Sequence, residues 1–398
     1  MPAGDASAGD QPRRFEFATA ARIVVGPGSS ADLPSIAAAF GRRVFLVTGS
    51  RPDRWSALAA ALEESSDELA RFAIEGEPTV AQVEAGVCLA RKSKSDVVVA
   101  VGGGSAIDAG KAIAALAANH GAALDYLEVA GRGQSLERPT LPVIAAPTTA
   151  GTGAEVTRNA VLAVPEARMK ASLRSASMLP RVALVDADLT HGLPPDVTAA
   201  TGMDALTQLI EPYLSCRANP MTDAWCRDGI PRAARALEKL RANPRDAQAR
   251  GDMALAALFS GLALANSGLG AVHGFAAPLG GLFPAPHGAV CAALLPHVLR
   301  TNLAALRARD SHNPALARME DVARWLTGSE ACEADDAARW CADLGRSLAI
   351  PNLAAWGVCR DHVGEIAVLA ARASSMKANP IALSEVELTE ILEAALEA

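Results

Sequence analysis

Asp204 and Gln208 in "TGMDALTQLIEPY", residues 201–213, stand four positions apart, the spacing that puts two side chains on one face of a helix. A carboxylate and an amide so placed can form half of a divalent-metal site or a satisfied polar patch. The histidines bear on that choice. There are seven, and three of them, His273, His287 and His297, fall in the apolar, Gly/Pro-punctuated stretch 270–299. A lone histidine on an apolar face is more often a core residue bonded to a carbonyl than a ligand. His273 and His287, however, flank a Gly-Pro-rich bend, so they could converge from two helix ends. With Asp204 they would make a two-histidine, one-carboxylate set, which suits Fe(II) or Zn(II) and leaves positions open for an alcohol oxygen. Gln208 is at most a weak fourth ligand, because a neutral amide is a poorer donor than imidazole. These residues alone leave metal site and polar patch both open.

A second set of residues suits a phosphate. In "VVVAVGGGSAIDAGK", residues 97–111, a buried strand runs into Gly102, Gly103, Gly104 and Ser105 and directly into a helix. Bare backbone N–H groups and the positive helix end then face outward together, which fits a pyrophosphate. Ile107 stands where the third glycine of G-x-G-x-x-G would be, so the ordinary dinucleotide fingerprint is absent and an unliganded turn is the alternative. A hydroxyl-rich loop, "APTTAGTGAEVT" at 146–157, follows another buried strand, and Thr148, Thr149 and Thr152 could donate to phosphate or to a nicotinamide amide. Two such loops at the carboxyl ends of parallel strands are expected at a ligand crevice. After "VFLVT", Gly49, Ser50 and Arg51 occupy the place where an acidic side chain would bind a ribose 2′-hydroxyl and repel a 2′-phosphate, so NADP is expected to be accepted or preferred.

Elements capable of holding these residues are readable along the chain. "RRVFLVTG", "LARFAIEG", "SDVVVAVGGG", "TLPVIAAPTT" and "RVALVDADL" describe strands buried on both faces, and the Ala/Leu-rich stretches between them are long enough for crossover helices. After "GLPPDV" at 192–197 the β-branched runs stop and helical spacing continues to the end, where Ser384 and Glu387 make a capping-box pattern. The expected organisation is a disordered tail at 1–13, an α/β domain with a parallel sheet at 14–190, and an all-helical domain at 191–398.

With 398 residues, 50% hydrophobic and 20% charged, the chain can bury a large core split over two domains. A net charge of -7 with scattered Lys and Arg argues against nucleic-acid or anionic-membrane partners and for small molecules. The seven cysteines include no C-x-x-C pair, so neither a thiolate zinc knuckle nor a disulfide framework is indicated. No apolar run of membrane-spanning length and no signal-like start are seen, so a cytoplasmic location is expected.

Four segments, "GGGSAIDAGK", "APTTAGTGAEVT", "MDALTQLIEPY" and "GAVHGFAAPLGGLFPAPHG", resemble in order and separation the signature segments of the iron-containing (group III) alcohol dehydrogenase family, over about 15–302 and more loosely to the end. The resemblance implies a dehydroquinate synthase-like architecture with a divalent metal in an interdomain cleft. It also implies reversible hydride transfer between an alcohol and NAD(P), and a homodimer. By position it places metal ligands on Asp204, Gln208, His273 and His287, the first and last two forming the catalytic centre. It places the pyrophosphate loop on Gly103, Gly104, Ser105 and Asp108, the second cofactor loop on Thr148, Thr149 and Thr152, and a cofactor-side lysine on Lys170. Gly49 and Ser50 fall at the ribose position. Family members usually carry histidine where this chain has Gln208 and Ala277, and commonly Asp at Gly49.

Small or medium alcohols and aldehydes are expected, in a cleft with an apolar wall around Phe275 and 268–283. Two rivals stand beside this reading. A metal-independent NAD(P)-dependent reductase or binding protein would explain Gln208 and Ala277. A dehydroquinate synthase-like lyase would need a dense Lys, Arg and His cluster, and the second-domain motifs are too apolar for that.

Overall fold

The computed structural model describes residues 14–397, so the tail expected at 1–13 lies outside the described residues. Eight strands are present: β1 Arg22–Val25, β2 Arg43–Thr48, β3 Glu68–Ala73, β4 Val97–Gly102, β5 Val143–Pro147, β6 Asn159–Val164, β7 Met169–Arg174 and β8 Val182–Val185. Six of them form a parallel sheet in the order β1-β8-β5-β4-β2-β3. Helices α1 Leu33–Ala38, α2 Ser56–Glu64, α3 Val80–Lys92, α4 Gly104–Ala118 and α5 Ala123–Tyr126 lie in the connections. Because side chains alternate along a strand, Phe45, Val47, Val98 and Ala100 pack under α3 and α4 while Val44, Leu46, Val97 and Val99 pack under α1 and α2. Central strands covered on both faces are apolar throughout, which is why they were readable as unbroken hydrophobic runs.

The other strands give weaker signals. β1 is a four-residue edge strand that pairs only with β8 and is partly exposed. β3, at the opposite edge, packs Ala70 and Phe72 on one face and Leu69 on the other, but these are only half-buried and stand among exposed Glu68, Arg71 and Ala73. β6 and β7 form a separate antiparallel hairpin whose turn, Pro165 to Arg168, lacks the Asn-Gly or Gly-Gly signal of a tight hairpin. Neither β1 nor this hairpin follows from the sequence reading.

From α6 onward the fold is helical: α6 Pro195–Leu214, α7 Pro220–Ala242, α8 Ala247–Ser267, α9 Ala271–Leu282, α10 His287–Arg309, α11 Ala315–Thr327, α12 Ala334–Ser347, α13 Val363–Arg372 and α14 Glu385–Glu397. α6 runs through the middle and is buried without interruption from Gly202 to Ser215, packed by α7, α8 and α10. α10 is long and apolar enough to cross a membrane, but most of it is buried among these helices, as a core helix would be. At the start of α14 the Ser384 N–H donates to Glu387 Oε2 (2.7 Å) and the Glu387 N–H donates to Ser384 Oγ (3.3 Å), which is the expected capping box.

The strand order positions the site. β2 and β4 are neighbours, yet the chain leaves β2 towards β3 on one side and β4 towards β5 on the other. Their carboxyl ends therefore open a crevice at a topological switch point. The loop after β5 crosses to the helical domain at Gly153, whose φ is +60° and where a Cβ would lie 2.3 Å from Gly261 Cα of α8. Only a glycine meets both conditions, so this contact fastens sheet to helices.

Candidate active site

Three loops converge at the crevice. A Cβ on Gly102 would come 3.4 Å from the Gly49 nitrogen, one on Gly103 would meet Thr149 Cγ2 at 3.4 Å, and one on Gly104 would meet Thr152 at 2.9 Å. The Thr148 N–H donates to the Gly102 carbonyl (2.9 Å), locking the β4 and β5 loops together. Gly103, Gly104 and Ser105 are half-buried at the first turn of α4, so the helix end opens into the crevice formed with Thr149 and Thr152, while Ser50 stands exposed at its rim.

Asp108 and Lys170 are engaged elsewhere. Asp108 Oδ2 accepts from the Val161 N–H of β6 (3.0 Å) and its Oδ1 pairs with Lys111 (2.9 Å). Lys111 is fully buried and also donates to the Ala154 carbonyl and Thr157 Oγ1, both at 3.0 Å, so this pair anchors the β5 loop to α4. Beneath that loop, burial pushes the Glu155 carboxyl up to about 7, although Lys111 pulls the other way. Lys170 ion-pairs with Glu77 at 2.5 Å and lies over Gly280 of α9, at the seam between hairpin and helical domain.

On the helical side, α6 carries a polar stripe, Asp204, Gln208 and Glu211, although it is buried all round. Buried ionisable groups need partners, and two helix starts supply them. His273 lies in the first turn of α9 and His287 is the first residue of α10. Their nitrogens approach Asp204 Oδ1 at 3.4 and 3.6 Å, and their ring centroids are 5.4 Å apart. The two helix ends converge as the spacing allows.

Glu211, one further turn along α6, accepts from the Val272 N–H (2.7 Å) and lies 2.6 Å from His273 Nδ1. It thereby caps the N-terminus of α9 and fixes the proton of His273 on Nδ1, leaving Nε2 free to face Asp204. Cys291, one turn after His287 on α10, completes the cluster, with Sγ 3.7 Å from His273 Nε2 and 3.8 Å from His287 Nε2. One ligand atom from each of Asp204, His273, His287 and Cys291 lies within 4.8 Å of the other three.

Gln208 is placed differently. It stands one turn after Asp204 on α6, and its Oε1 faces Ser260 Oγ at 3.4 Å; that hydroxyl donates more closely to the Ala257 carbonyl (2.8 Å) and lies 3.3 Å from the Gly151 carbonyl of the cofactor-side loop. Ala277, one turn after His273 on α9, is exposed. Phe275 has no exposed surface and packs into the helical core, so it does not supply an open cleft wall as expected. His297 is a core histidine whose Nδ1 has no hydrogen-bond partner, and burial together with Arg300 pushes it down to about 4.

The electrostatics fit a cation. Burial works against a charge on Asp204, yet His287 and His273 hold its carboxyl below the usual range. Burial likewise opposes a charge on His273, but Cys291 and Glu211 hold it well above the usual imidazole value. Asp204 Oδ1 is buried without a hydrogen-bond partner. An uncompensated acceptor amid imidazoles and a thiol is what a divalent ion would satisfy, displacing the proton the cluster otherwise keeps.

Glu211 and Cys291 were not singled out in the sequence. Glu211 shares the α6 stripe at i+7 from Asp204, and Cys291 sits at i+4 from His287, so helical spacing applied outward from each ligand would have found both. Glu211→Gln keeps the shape but weakens the hold on Nδ1. It is expected to lower metal affinity by about 10–100-fold, read by competition with a chromogenic chelator.

A crevice at the carboxyl ends of a parallel sheet, with a buried His/carboxylate cluster in the helical half, is an arrangement that suits a metal-dependent dehydrogenase. Residues 20–187 match the family model described as "Iron-containing alcohol dehydrogenase", and residues 198–396 match "Fe-containing alcohol dehydrogenase family, C-terminal". Alcohol dehydrogenase 4 of Saccharomyces cerevisiae is 36% identical over 321 residues, which is 80% of this chain and 81% of that protein. The crystal structure of a 1,3-propanediol oxidoreductase superposes with a TM-score of 0.88 at 34% identity, covering 96% of this chain and 100% of the other. Sulfoacetaldehyde reductase from Bifidobacterium kashiwanohense in complex with NAD+ superposes with a TM-score of 0.85 at 28% identity, over 96% and 99% of the two chains. The chain belongs to the iron-containing alcohol dehydrogenase family. It is an NAD(P)-dependent, metal-dependent alcohol oxidoreductase.

Proposed function

We propose that Asp204, His273 and His287 hold one divalent ion, and that the chain interconverts small or medium alcohols and their aldehydes using a nicotinamide cofactor seated on the Gly103 to Ser105 and Thr148 to Thr152 loops. The observation that carries this reading is the buried cluster itself: Asp204 Oδ1, which has no hydrogen-bond partner, faces His273 Nε2 at 3.4 Å and His287 Nε2 at 3.6 Å. The bound ion would supply Lewis-acid polarisation of the substrate oxygen, and the cofactor would supply or accept the hydride.

The chain's own residues do the positioning. Glu211 holds the His273 proton on Nδ1, and burial of both Asp204 and His273 keeps water from competing for them. His287, with its side chain 37% exposed, marks the flank from which substrate enters. Fe(II) follows from the family and Zn(II) from the donor types. Asp108 supports the cofactor loop from behind through Lys111, and Lys170 stands at the interdomain seam, held by Glu77. Purified protein supplied with Fe(II) or Zn(II) should oxidise NADPH or NADH with a panel of short and medium aldehydes. Absence of turnover with every aldehyde would remove this reading.

The proposed cofactor choice is NADP accepted or preferred, because no acidic side chain stands at the end of β2. A Cβ on Gly49 would meet nothing within 4 Å, so Gly49→Asp fits without repacking. It is expected to shift the kcat/KM ratio towards NAD by at least about tenfold, or ~1.4 kcal/mol. A preference for NAD above about tenfold in the unaltered chain contradicts the NADP assignment. A cytoplasmic homodimer completes the proposal. β1 pairs on one side only, which makes its free edge the natural seam, and a light-scattering mass near one chain would exclude the dimer.

A further inference from the structure

Cys291 is more than a filler of the helical core. Its sulfur lies 3.7 Å from His273 Nε2 and 3.8 Å from His287 Nε2, while those two nitrogens lie 3.4 and 3.6 Å from Asp204 Oδ1. These separations can be compared with the edges of a tetrahedral centre. Metal–nitrogen and metal–oxygen bonds of about 2.05 Å and a metal–sulfur bond of about 2.3 Å give edges of about 3.4 Å between nitrogen and oxygen and about 3.6 Å between nitrogen and sulfur. The four nitrogen–sulfur and nitrogen–oxygen edges therefore stand within a few tenths of an ångström of those of a metal centre, and all four donor atoms lie within 4.8 Å of one another. Among the described residues, the other buried thiols, Cys226 and Cys341, belong to no such cluster. Gln208, the residue that sequence position offers as fourth ligand, has its oxygen 3.4 Å from the Ser260 hydroxyl.

We propose that the Cys291 thiolate is the fourth protein ligand of the metal, giving an Asp204, His273, His287, Cys291 centre. The assignment rests on the reading of Asp204, His273 and His287 as a metal site. On binding, the Cys291 thiol loses its proton to solvent and the sulfur–metal bond forms, so one proton leaves for each thiolate made. Thiolate is a soft donor, and its presence moves the site's preference from Fe(II) towards Zn(II) and Co(II). Four protein ligands fill a tetrahedral shell, so substrate would enter as a fifth ligand from the solvent-facing flank at His287.

Cobalt substitution reads this directly and does not depend on turnover. Metal-stripped full-length protein is loaded with one equivalent of Co(II), and its absorption is recorded for the unaltered chain and for Cys291→Ser. The expected result is a near-ultraviolet sulfur-to-cobalt charge-transfer band in the unaltered protein that is missing from Cys291→Ser. The variant should also lose Zn(II) affinity by at least about tenfold more than it loses Fe(II) affinity. Cobalt bound by the unaltered protein without that band, or an equal band in Cys291→Ser, overturns the cysteine assignment and leaves the metal site standing. Failure of the unaltered protein to bind cobalt at all overturns both.

Discussion

His273→Ala is expected to leave a folded protein that retains no stoichiometric metal and turns over at least about 10³-fold more slowly. The magnitude follows from the several kcal/mol a Lewis acid contributes to a developing alkoxide, at about 1.36 kcal/mol per tenfold in rate. His273 is the hinge of the cluster. Its Nε2 faces Asp204 and Cys291 and its Nδ1 is held by Glu211, so its loss breaks the site on both sides. Removing the ring also leaves the Glu211 carboxylate bonded only to the Val272 N–H within this cluster, and some loss of stability accompanies the loss of metal. Metal content by mass spectrometry, far-ultraviolet circular dichroism and aldehyde-dependent oxidation of NAD(P)H together check the prediction. A metal-free His273→Ala with full turnover would show that the cluster is not the catalytic centre.

Gly288→Ala is expected to act on the same centre without touching a ligand. A Cβ at Gly288 would lie 2.2 Å from the Ala200 carbonyl oxygen, 2.7 Å from its carbon and 3.1 Å from Asp204 Cβ. The obstacle is backbone, so α10 must move away from α6, and it carries His287 and Cys291 with it. Overpacking of this kind costs about 1–3 kcal/mol. Metal–ligand distances, by contrast, tolerate only about 0.2 Å. The variant should therefore unfold at a lower temperature and bind metal at least about tenfold more weakly, the two being read by calorimetry and chelator competition. Unchanged metal affinity would mean that the close crossing of α6 and α10 does not set the site.

The sequence carried the central sheet and the helical half because both present strong periodic signals. Strands covered on two faces, such as β4, are apolar at every position, α14 repeats at helical spacing, and α8 is a long Ala/Leu-rich run. It did not carry the β6–β7 hairpin, whose turn uses Pro, Glu, Ala and Arg, or β1, which is short and half-exposed. At the site, Asp204, His273 and His287 could be expected together because a Gly-Pro-rich bend lies between the two histidines and the family resemblance aligns all three, and the structure brings their side chains to one place. Cys291 gives no signal through cysteine spacing, because its neighbours in the cluster are histidines and a carboxylate and not a second thiol. Glu211 was hidden for a related reason: it touches the ligand and the α9 backbone, so its role exists only once α6 and α9 are packed together. Gln208, placed among the ligands by position, has its oxygen 3.4 Å from Ser260 of α8, a residue far away in the chain.

The central claim is that one divalent ion, held by the cluster on α6, α9 and α10, is required for turnover. Protein purified without chelator is assayed with an aldehyde and NADPH, stripped with a strong chelator, and then reconstituted with one equivalent of Fe(II) or Zn(II). The account predicts close to one ion per chain, loss of turnover on stripping and its return on reconstitution. Undiminished turnover in protein shown to be free of metal would contradict it, and would make the chain a reductase that works with cofactor and side chains alone.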